Sequence, residues 1–324
     1  MKPEASLFRE RSLCVVGNLN RDFKPAPLRA GAYLFSDGET SVESVVETIG
    51  GGGANSACIA AALGARVVFL GKVGADALGT RLEETLARHG VRPRLARDAA
   101  VATGTSLALA FDNGQRHFVS CLRNNEALRF EDLDLSALDG AEHLYRADLW
   151  FSQPMLFGGN ERLFRKARAR GMTVSIDLNW DPRWSVADAA EIRAHKQAVR
   201  ALLPLVQLAH GNERELKEFT DAPDLDTALR RLDEWGVGSV VVHLGARGAG
   251  CYQRGQWIVE PPVPAQKQVN TTGTGDVLSV CAMLLHGQLD VASQLRLANG
   301  IVTEFIEGQR QFIPTLDAPA GTGR

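Results

Sequence analysis

The sequence contains no paired cysteines and no metal-binding spacing. Its five cysteines are scattered along the chain, no Cys-x-x-Cys pair occurs, and none of its seven histidines lies at ligand spacing from a cysteine. An odd set of isolated cysteines argues against a disulfide scaffold and against zinc or thiol chemistry. Free thiols buried in a reducing cytoplasm are the interpretation that fits this pattern.

The chain also lacks a strong net charge and a long apolar run. Across 324 residues the formal net charge is −2, which gives no reason to expect nucleic-acid or membrane binding. No apolar stretch approaches the ~20 residues that span a bilayer, and residues 1–12 lack the apolar core of a signal peptide. We therefore expect a cytoplasmic globular protein.

The hydrophobic pattern alternates short apolar runs with amphipathic segments. The predicted strands are 12–16, 66–70, 148–152, 173–176, 206–209 and 239–244. The predicted helices are 54–63, 78–89, 160–170, 188–203, 213–219 and 226–235. This alternation predicts an α/β fold with a central, mostly parallel sheet and helices on both of its faces.

Two stretches, 23–48 and 101–122, interrupt this alternation because they show little helical periodicity. The second contains Asn113-Gly114 between two β-prone runs, which is a strong hairpin signal. We predict that both stretches form a small β-sheet lid on a single α/β domain, residues 1–314, with a flexible tail at 315–324. Because exposed strand edges tend to be covered, the sequence also predicts a homodimer through the lid.

The carboxylate of Asp276 directly follows a segment, 270–275, that holds two glycines and three threonines. An apolar run with helical character, 277–285, begins at once. Glycines let backbone N–H groups turn toward an anion, and a helix N-terminus adds positive partial charge. A carboxylate there is well placed to accept the proton of a hydroxyl that attacks a phosphate. A turn whose Asp caps the next helix is the alternative.

A second polar group follows the first predicted strand and the glycine run 50–53. Asn20 and Asp22 suit a bidentate grip on vicinal hydroxyls, and Asn55 offers both a donor and an acceptor beside the glycines. The chain has neither a Walker-type lysine after the glycines nor a dinucleotide fingerprint after the first strand. A flexible glycine linker and ordinary turn chemistry are the alternatives.

Two further motifs follow later strands. Asn212 and Glu215 stand three residues apart at the start of a predicted helix, so they share one face and suit a water-coordinated Mg²⁺ ion. Helix capping is the alternative. The glycine turn from His243 to Gly248 suits the edge of a nucleotide.

These motifs together resemble those of the ribokinase-like (PfkB) family of carbohydrate kinases, over nearly the whole chain. The N-terminal signature is matched by residues 50–55 with Gly71, Gly74, Asp76 and Gly79, and the C-terminal signature by residues 271–276. The resemblance implies that Asp276 is the catalytic base. It also implies that the backbone N–H groups of Gly273, Thr274 and Gly275 form the anion hole.

The resemblance further implies the cofactors, ATP and Mg²⁺, and the residues that bind the ligands. Positions that contact the sugar in the family are matched by Asn20, Asp22, Gly51, Gly52, Asn55 and Gln153. Positions that contact ATP are matched by Asn212, His243, Gly245, Gly248, Thr272, Gly273, Gly275 and Asn299. The Asn-x-x-Glu motif that organises magnesium is matched by Asn212 and Glu215.

Several positions depart from the family pattern. Gly52 and Gln153 stand where ribokinases have a Lys and a Glu, and His243 stands where ribokinase has a Thr. Asn270 stands where an Asp helps to hold a monovalent cation in some members, so activation by K⁺ is doubtful. Thr274 and Cys281 replace smaller residues. These departures argue against ribokinase activity proper.

The resulting hypothesis is ATP-dependent phosphoryl transfer to a hydroxyl of a small sugar or sugar acid. A nucleoside kinase of the same fold is one alternative, and it would use aromatic residues of the lid to hold the base. A sugar-binding relative without turnover is the other. Arg116, His117 and Arg123, on or beside the predicted hairpin, suit a carboxylate or phosphate on the sugar, and equally a solvated hairpin face.

Overall fold

The computed structural model describes residues 4–270 and 272–316, which fold around one large sheet. The strands are β1 (Ser12–Val16), β2 (Asn20–Pro25), β3 (Val45–Gly50), β4 (Arg66–Gly74), β5 (Val91–Asp98), β6 (Thr105–Ala110), β7 (Arg116–Cys121), β8 (His143–Arg146), β9 (Thr173–Asp177), β10 (Leu208–Asn212), β11 (Ser239–His243), β12 (Ala249–Gln253) and β13 (Gln256–Glu260). The helices are α1 (Glu4–Arg9), α2 (Gly52–Ala62), α3 (Ala77–Arg88), α4 (Arg123–Glu126), α5 (Asn160–Ala169), α6 (Ala189–Arg200), α7 (Glu213–Thr220), α8 (Leu225–Glu234), α9 (Thr274–Leu285) and α10 (Val291–Ile306).

The large sheet has nine strands in the order β13-β12-β11-β10-β9-β8-β1-β4-β5. Strands β12 and β13 run antiparallel to their neighbours, and the other pairs are parallel. One apolar core lies between the sheet and helices α1, α2, α3, α9 and α10, and a second lies between the opposite face and α5 to α8. The α/β fold with both faces covered, predicted from the alternating pattern, is confirmed.

The predicted strand at 148–152 is wrong. The strand of this region is β8, which ends at Arg146, and Asp148 then adopts a φ of 54° that turns the chain out of the sheet. The apolar residues that suggested a strand, Leu149 and Trp150, are buried in the core as part of the following loop. The strand predicted at 206–209 is displaced, since β10 begins at Leu208.

The lid is a separate four-stranded sheet in the order β3-β2-β6-β7. Strands β6 and β7 form the predicted hairpin, and Gly114 at its turn has a φ of 81°. The predicted stretches 23–48 and 101–122 contain most of the lid, but β2 begins earlier, at Asn20, and β3 continues to Gly50. The lid strand β2 therefore follows β1 after a short loop, and the lid strand β3 is followed almost at once by α2.

The free edge of β3 is covered by a segment that we call the strap, residues 311–316. The N–H of Ile49 donates to the carbonyl of Pro314 (3.1 Å), and the N–H of Leu316 donates to the carbonyl of Glu47 (2.9 Å). Leu316 is buried. The tail predicted from residue 315 thus has its first two residues paired with the lid, and residues 317–324 lie outside the described part of the chain.

The cysteines of the structure are free thiols. Cys14, Cys58, Cys251 and Cys281 are buried, and Cys121 is exposed on β7. Burial raises the pKa of the Cys14 and Cys58 thiols to about 12, which keeps them protonated and unreactive. Within residues 4–270 and 272–316, no cluster of three or more metal-ligating side chains occurs, and no helix combines the length and apolarity needed to cross a membrane.

Candidate active site

The glycine-rich loop singled out in the sequence ends at the N-terminus of α9. Gly273 has a φ of 93°, a left-handed conformation that favours glycine, and the helix begins at the next residue, Thr274. Asp276 therefore lies in the first helical turn, where backbone N–H groups have no partner within the helix. The loop and helix together present hydrogen-bond donors and positive partial charge beside a carboxylate.

The carboxylate of Asp276 lies close to several other charged groups. It accepts a hydrogen bond from Asn55 of α2 and is influenced by Asp148, Glu215 and the lid residue Lys24. Burial, and next the charge of Asp148, raise the pKa of Asp276 to about 7, against the smaller opposing effects of Asn55 and Lys24. A carboxylate with a pKa near 7 suits general-base catalysis close to neutral pH.

The predicted sugar-side residues Asn20, Asp22, Gly51 and Asn55 come together where β1 passes into the lid. The Nδ2 of Asn20 donates to the Oδ1 of Asp22 (2.7 Å), and burial raises the pKa of Asp22 to about 6. The Oδ1 of Asn55 is buried and has no hydrogen-bond partner among the described residues. Because a buried polar atom rarely stays unpaired, Asn55 is prepared to accept a hydroxyl of a bound ligand.

Asp148, which the sequence reasoning missed, links the predicted sugar-side residues to Asp276. Its carboxylate accepts the backbone N–H groups of Asn18 (2.8 Å), Gly52 (3.2 Å) and Gly53 (2.9 Å). It thereby holds the β1 loop against the N-terminus of α2, where a negative charge is favourable. The signal in the sequence was a single acidic residue at the edge of an apolar run, and we included it in the predicted strand 148–152.

The same contacts explain two glycines of the run 50–53. A Cβ at Gly52 would lie 2.9 Å from the Oδ1 of Asp148, and a Cβ at Gly53 would lie 2.6 Å from the Cα of Gly17. At Gly53 the close approach is made by the chain's own β1 loop.

Asn212 and Glu215 form a reciprocal cap at the start of α7. The Oδ1 of Asn212 accepts from the N–H of Glu215 (3.0 Å), and the Oε2 of Glu215 accepts from the N–H of Asn212 (2.8 Å). The capping alternative is therefore correct, although it does not exclude a role with magnesium. Burial raises the pKa of Glu215, and burial together with Glu215 raises the pKa of Asp177 well above its usual range.

This pair of desolvated carboxylates fits a hydrated divalent cation. Asp177 and Glu215 repel each other in a low-dielectric environment, and Asp276 adds to the raised pKa of Asp177. A cation bound nearby would relieve that repulsion. Because Mg²⁺ keeps several waters and needs only one or two protein carboxylates beside the phosphates, the donor set suits Mg²⁺ better than a metal enclosed by side chains.

The predicted nucleotide side lies at the end of β11. The Nε2 of His243 contacts the Oγ of Ser279 on α9 (3.0 Å), and its Nδ1 would lie 3.1 Å from a Cβ at Gly275. The imidazole thus packs directly against the glycine loop. Burial lowers the pKa of His243 to about 4, so it is neutral at physiological pH. Gly245 and Gly248 follow with positive φ and form a tight turn.

Three other side chains from the sequence predictions have partners outside this cluster. The Nδ2 of Asn299 donates to the carbonyls of Glu260 (3.0 Å) and Pro261 (2.9 Å), so it braces the segment after β13. Gln153 contacts His195 (2.9 Å), and the structure does not bring it together with the sugar-side residues. Asn270 donates to the carbonyl of Phe305 (2.9 Å).

A model of the pfkB family of carbohydrate kinases matches residues 10–301 of the sequence. The chain belongs to this family. As a PfkB kinase it has the ribokinase-like fold predicted above, with Asp276, the glycine loop and Asn55 where the lid meets the main sheet. A dinucleotide-dependent oxidoreductase is thereby excluded.

Curated PfkB kinases resemble the chain at modest identity. The chain is 25% identical to a ribokinase of Arabidopsis thaliana over 82% of its own length and 68% of the relative. It is 25% identical to a fructokinase of Vibrio alginolyticus, with 75% and 77% covered. It is 27% identical to a 2-dehydro-3-deoxygalactonokinase of Haloferax volcanii, with 70% and 71% covered.

Solved structures of similar proteins share the fold. A fructokinase of Xylella fastidiosa with bound ATP superposes with a TM-score of 0.76 at 21% identity, with 94% of each chain covered. An Escherichia coli protein of the ribokinase II type, in complex with ATP and Mg²⁺, gives a TM-score of 0.77 at 20% identity, with 93% of this chain and 94% of the other covered.

Proposed function

We propose that this PfkB kinase transfers the γ-phosphoryl group of ATP to a hydroxyl of a small sugar or sugar acid. The observation that carries the proposal is the position of Asp276. It stands in the first turn of α9, between the glycine loop on one side and the amide of Asn55 on the other. This arrangement supports a proton acceptor that works between a site for the transferring phosphate and a site for hydroxyls.

In the proposed reaction Asp276 accepts the proton of the attacking hydroxyl. The hydroxyl oxygen forms a bond to the γ-phosphorus while the bond from that phosphorus to the bridging oxygen breaks, and ADP leaves with the electron pair. The N–H groups of residues 273–275 stabilise the charge on the transferring group. Asp177 and Glu215 would hold Mg²⁺, which supplies charge neutralisation for the nucleotide oxygens when bound.

The lid contributes the grip on the acceptor and the exclusion of water. Asn20 and Asp22 lie on β2, so the same strand that covers the site also carries sugar-binding groups. Closing such a site over the sugar limits transfer of the phosphoryl group to water. Among the predicted sugar residues, Gln153 has no contact that supports this role.

A coupled assay of ADP release tests the proposal. The purified protein is incubated with Mg-ATP and, separately, neutral sugars, sugar acids, sugar phosphates and nucleosides. We expect ADP release that depends on a member of the first three groups. ADP release with nucleosides alone would favour the alternative, for which Phe118, on the same face of the lid as Asp22, is one candidate aromatic. Sugar binding detected by calorimetry, without ADP release on any acceptor, would favour the alternative of a sugar-binding relative without turnover.

We also propose that the protein is a homodimer through the outer face of the lid. Strand register places Leu107 opposite Val119 on that face, and their side chains are 38% and 58% exposed. Apolar side chains in a patch of this kind are usually covered by a partner. Light scattering is expected to give twice the 35.0 kDa of one chain, and Val119→Lys is expected to give monomers. A monomeric wild type at assay concentration would refute the dimer.

A further inference from the structure

A cavity of about 400 Å³ lies beside the catalytic loop, under the edge of the lid. Its walls come from β2 and β3, from the loop before α9 and from the strap. Thr272 belongs to these walls and directly precedes Gly273, so the cavity opens next to the anion-binding loop. The volume is within the range of small-molecule sites.

The cavity contains a hydroxyl that has no partner. Thr48 lines it from β3, is only 6% exposed, and its Oγ1 makes no hydrogen bond with any of the described residues. Strand register places Thr48 directly opposite Asp22, and Lys24 follows Asp22 on the same face of the lid. The hydroxyl of Thr48 and the ammonium of Lys24 are therefore two hydrogen-bond donors that line the same cavity.

The charges favour an anion in this cavity. Lys24 is the one charged side chain among the described residues that line it. Burial lowers the pKa of Lys24; the carboxylates of Asp22 and Asp276 lie close enough to oppose that shift, and the charge of Arg116 adds to it. An anionic group would therefore be attracted to the cavity by Lys24 and repelled from the position of Asp276.

The position of Lys24 on the lid indicates whether the acceptor or the nucleotide would carry the anionic group. Lys24 shares β2 with Asn20 and Asp22, which lie on the acceptor side. The predicted nucleotide-side residue His243 is at the end of β11. In the large sheet, three strands lie between β11 and β1, and β1 is the strand that leads into β2 of the lid. The cavity is thus an extension of the acceptor site.

We propose that this cavity binds an anionic group of the acceptor, a carboxylate or a phosphate, through the ammonium of Lys24 and the hydroxyl of Thr48. The inference rests on the proposed kinase function and deepens it, because it names sugar acids or sugar phosphates as the substrate class. Both groups present several acceptor oxygens for charge-assisted hydrogen bonds.

The test uses sets of acceptors that differ only in charge. Each set holds a neutral sugar, the corresponding sugar acid and the corresponding sugar phosphate. We expect kcat/KM to be at least about tenfold higher for one anionic member than for the neutral sugar, the effect of a hydrogen bond to a charged group. The acid and the phosphate are separate arms, so the preferred member identifies the group.

Two variants connect this preference to the cavity. Lys24→Met retains the length of the side chain without its charge, and Thr48→Val retains its shape without the hydroxyl. We expect Lys24→Met to raise KM for the anionic acceptor about 10- to 100-fold more than it changes KM for the neutral sugar. Thr48→Val should act in the same direction, more weakly. Lys166→Met, an exposed lysine on α5, is the matched control.

Because loss of Lys24 removes a charge that lowers the pKa of Asp276, each protein is assayed with the charged and the neutral acceptor at the same pH. A change in the protonation of the base would affect both acceptors alike, so a rise in KM for the anionic acceptor alone is not a change in protonation. Equal losses with charged and neutral sugars, or turnover of neutral sugars only, would overturn the inference and leave the kinase function standing.

Calorimetry without ATP distinguishes a failure of the kinase proposal from a failure of the proposed anion site. If no acceptor supports ADP release, the kinase proposal fails. The cavity is then judged by binding alone: the anionic sugars should bind wild type more tightly than Lys24→Met, and equal binding would overturn the inference.

Discussion

The Asp276→Asn variant is expected to fold normally and to turn over about 10²–10⁴-fold more slowly than wild type, the usual contribution of a general base. An amide in this position still fits the first turn of α9, but it cannot accept the proton of the attacking hydroxyl. The measurement is kcat with the best acceptor of the panel, together with a circular dichroism spectrum and calorimetric binding of ATP.

Asp290→Asn provides the matched control for this variant. Asp290 caps α10 by accepting from the N–H of Ser293 (3.0 Å), so it is also an aspartate at the start of a helix. Its replacement should leave kcat unchanged. If Asp276→Asn folded and retained full turnover, the assignment of the base would be wrong, and so would the mechanism built on it.

The Asp148→Asn variant is expected to have the second largest effect, on stability and on pH dependence together. The carboxylate accepts three backbone N–H groups, and an amide has only one acceptor oxygen for them. Its NH₂ group would face at least one donor, and an unpaired buried donor costs about 1–3 kcal/mol. We therefore expect the free energy of unfolding in urea to fall by that amount, with Asp139→Asn at an exposed position as the control.

The pH dependence of the same variant follows from the charge of Asp148. In wild type that charge helps to raise the pKa of Asp276 to about 7. A base works when it is deprotonated, so kcat/KM of wild type should fall as the pH drops below about 7. Removing the charge at 148 lowers the pKa of Asp276 and should extend activity to lower pH. An acid limb that did not move would show that Asp148 only braces the loop.

Local signals in the sequence predicted a large part of this molecule. The strand at 12–16 and the hairpin around Asn113 and Gly114 depend on alternation and turn chemistry within a few residues, and the structure has both. The glycine turn and the helix beside Asp276 were predicted for the same reason, because both are adjacent to it in the chain.

Residues whose role depends on distant partners were missed or misplaced. Asp148 was assigned to a strand because its neighbours are apolar, while its three hydrogen-bond donors come from residues 18, 52 and 53. The roles proposed for Thr48 and Lys24 depend on the register of β2 with β3 and on the strap, neither of which is visible in the local sequence. Gln153 was carried over from a family position, and its contact with His195 could not be read from either segment.

The pairing of the strap with β3 also sets an order of events on the ribosome. A chain emerges from its N-terminus, so Asn20, Thr48 and Asn55 leave the ribosome long before Asp276, and Asp276 leaves before Pro314 and Leu316. The edge of β3 therefore stays unpaired until residues 314–316 have been made. A nascent chain stalled before residue 314 would contain Asn20, Asn55 and Asp276 but would have an open lid edge. Synthesis must reach the strap before this edge of the lid is covered.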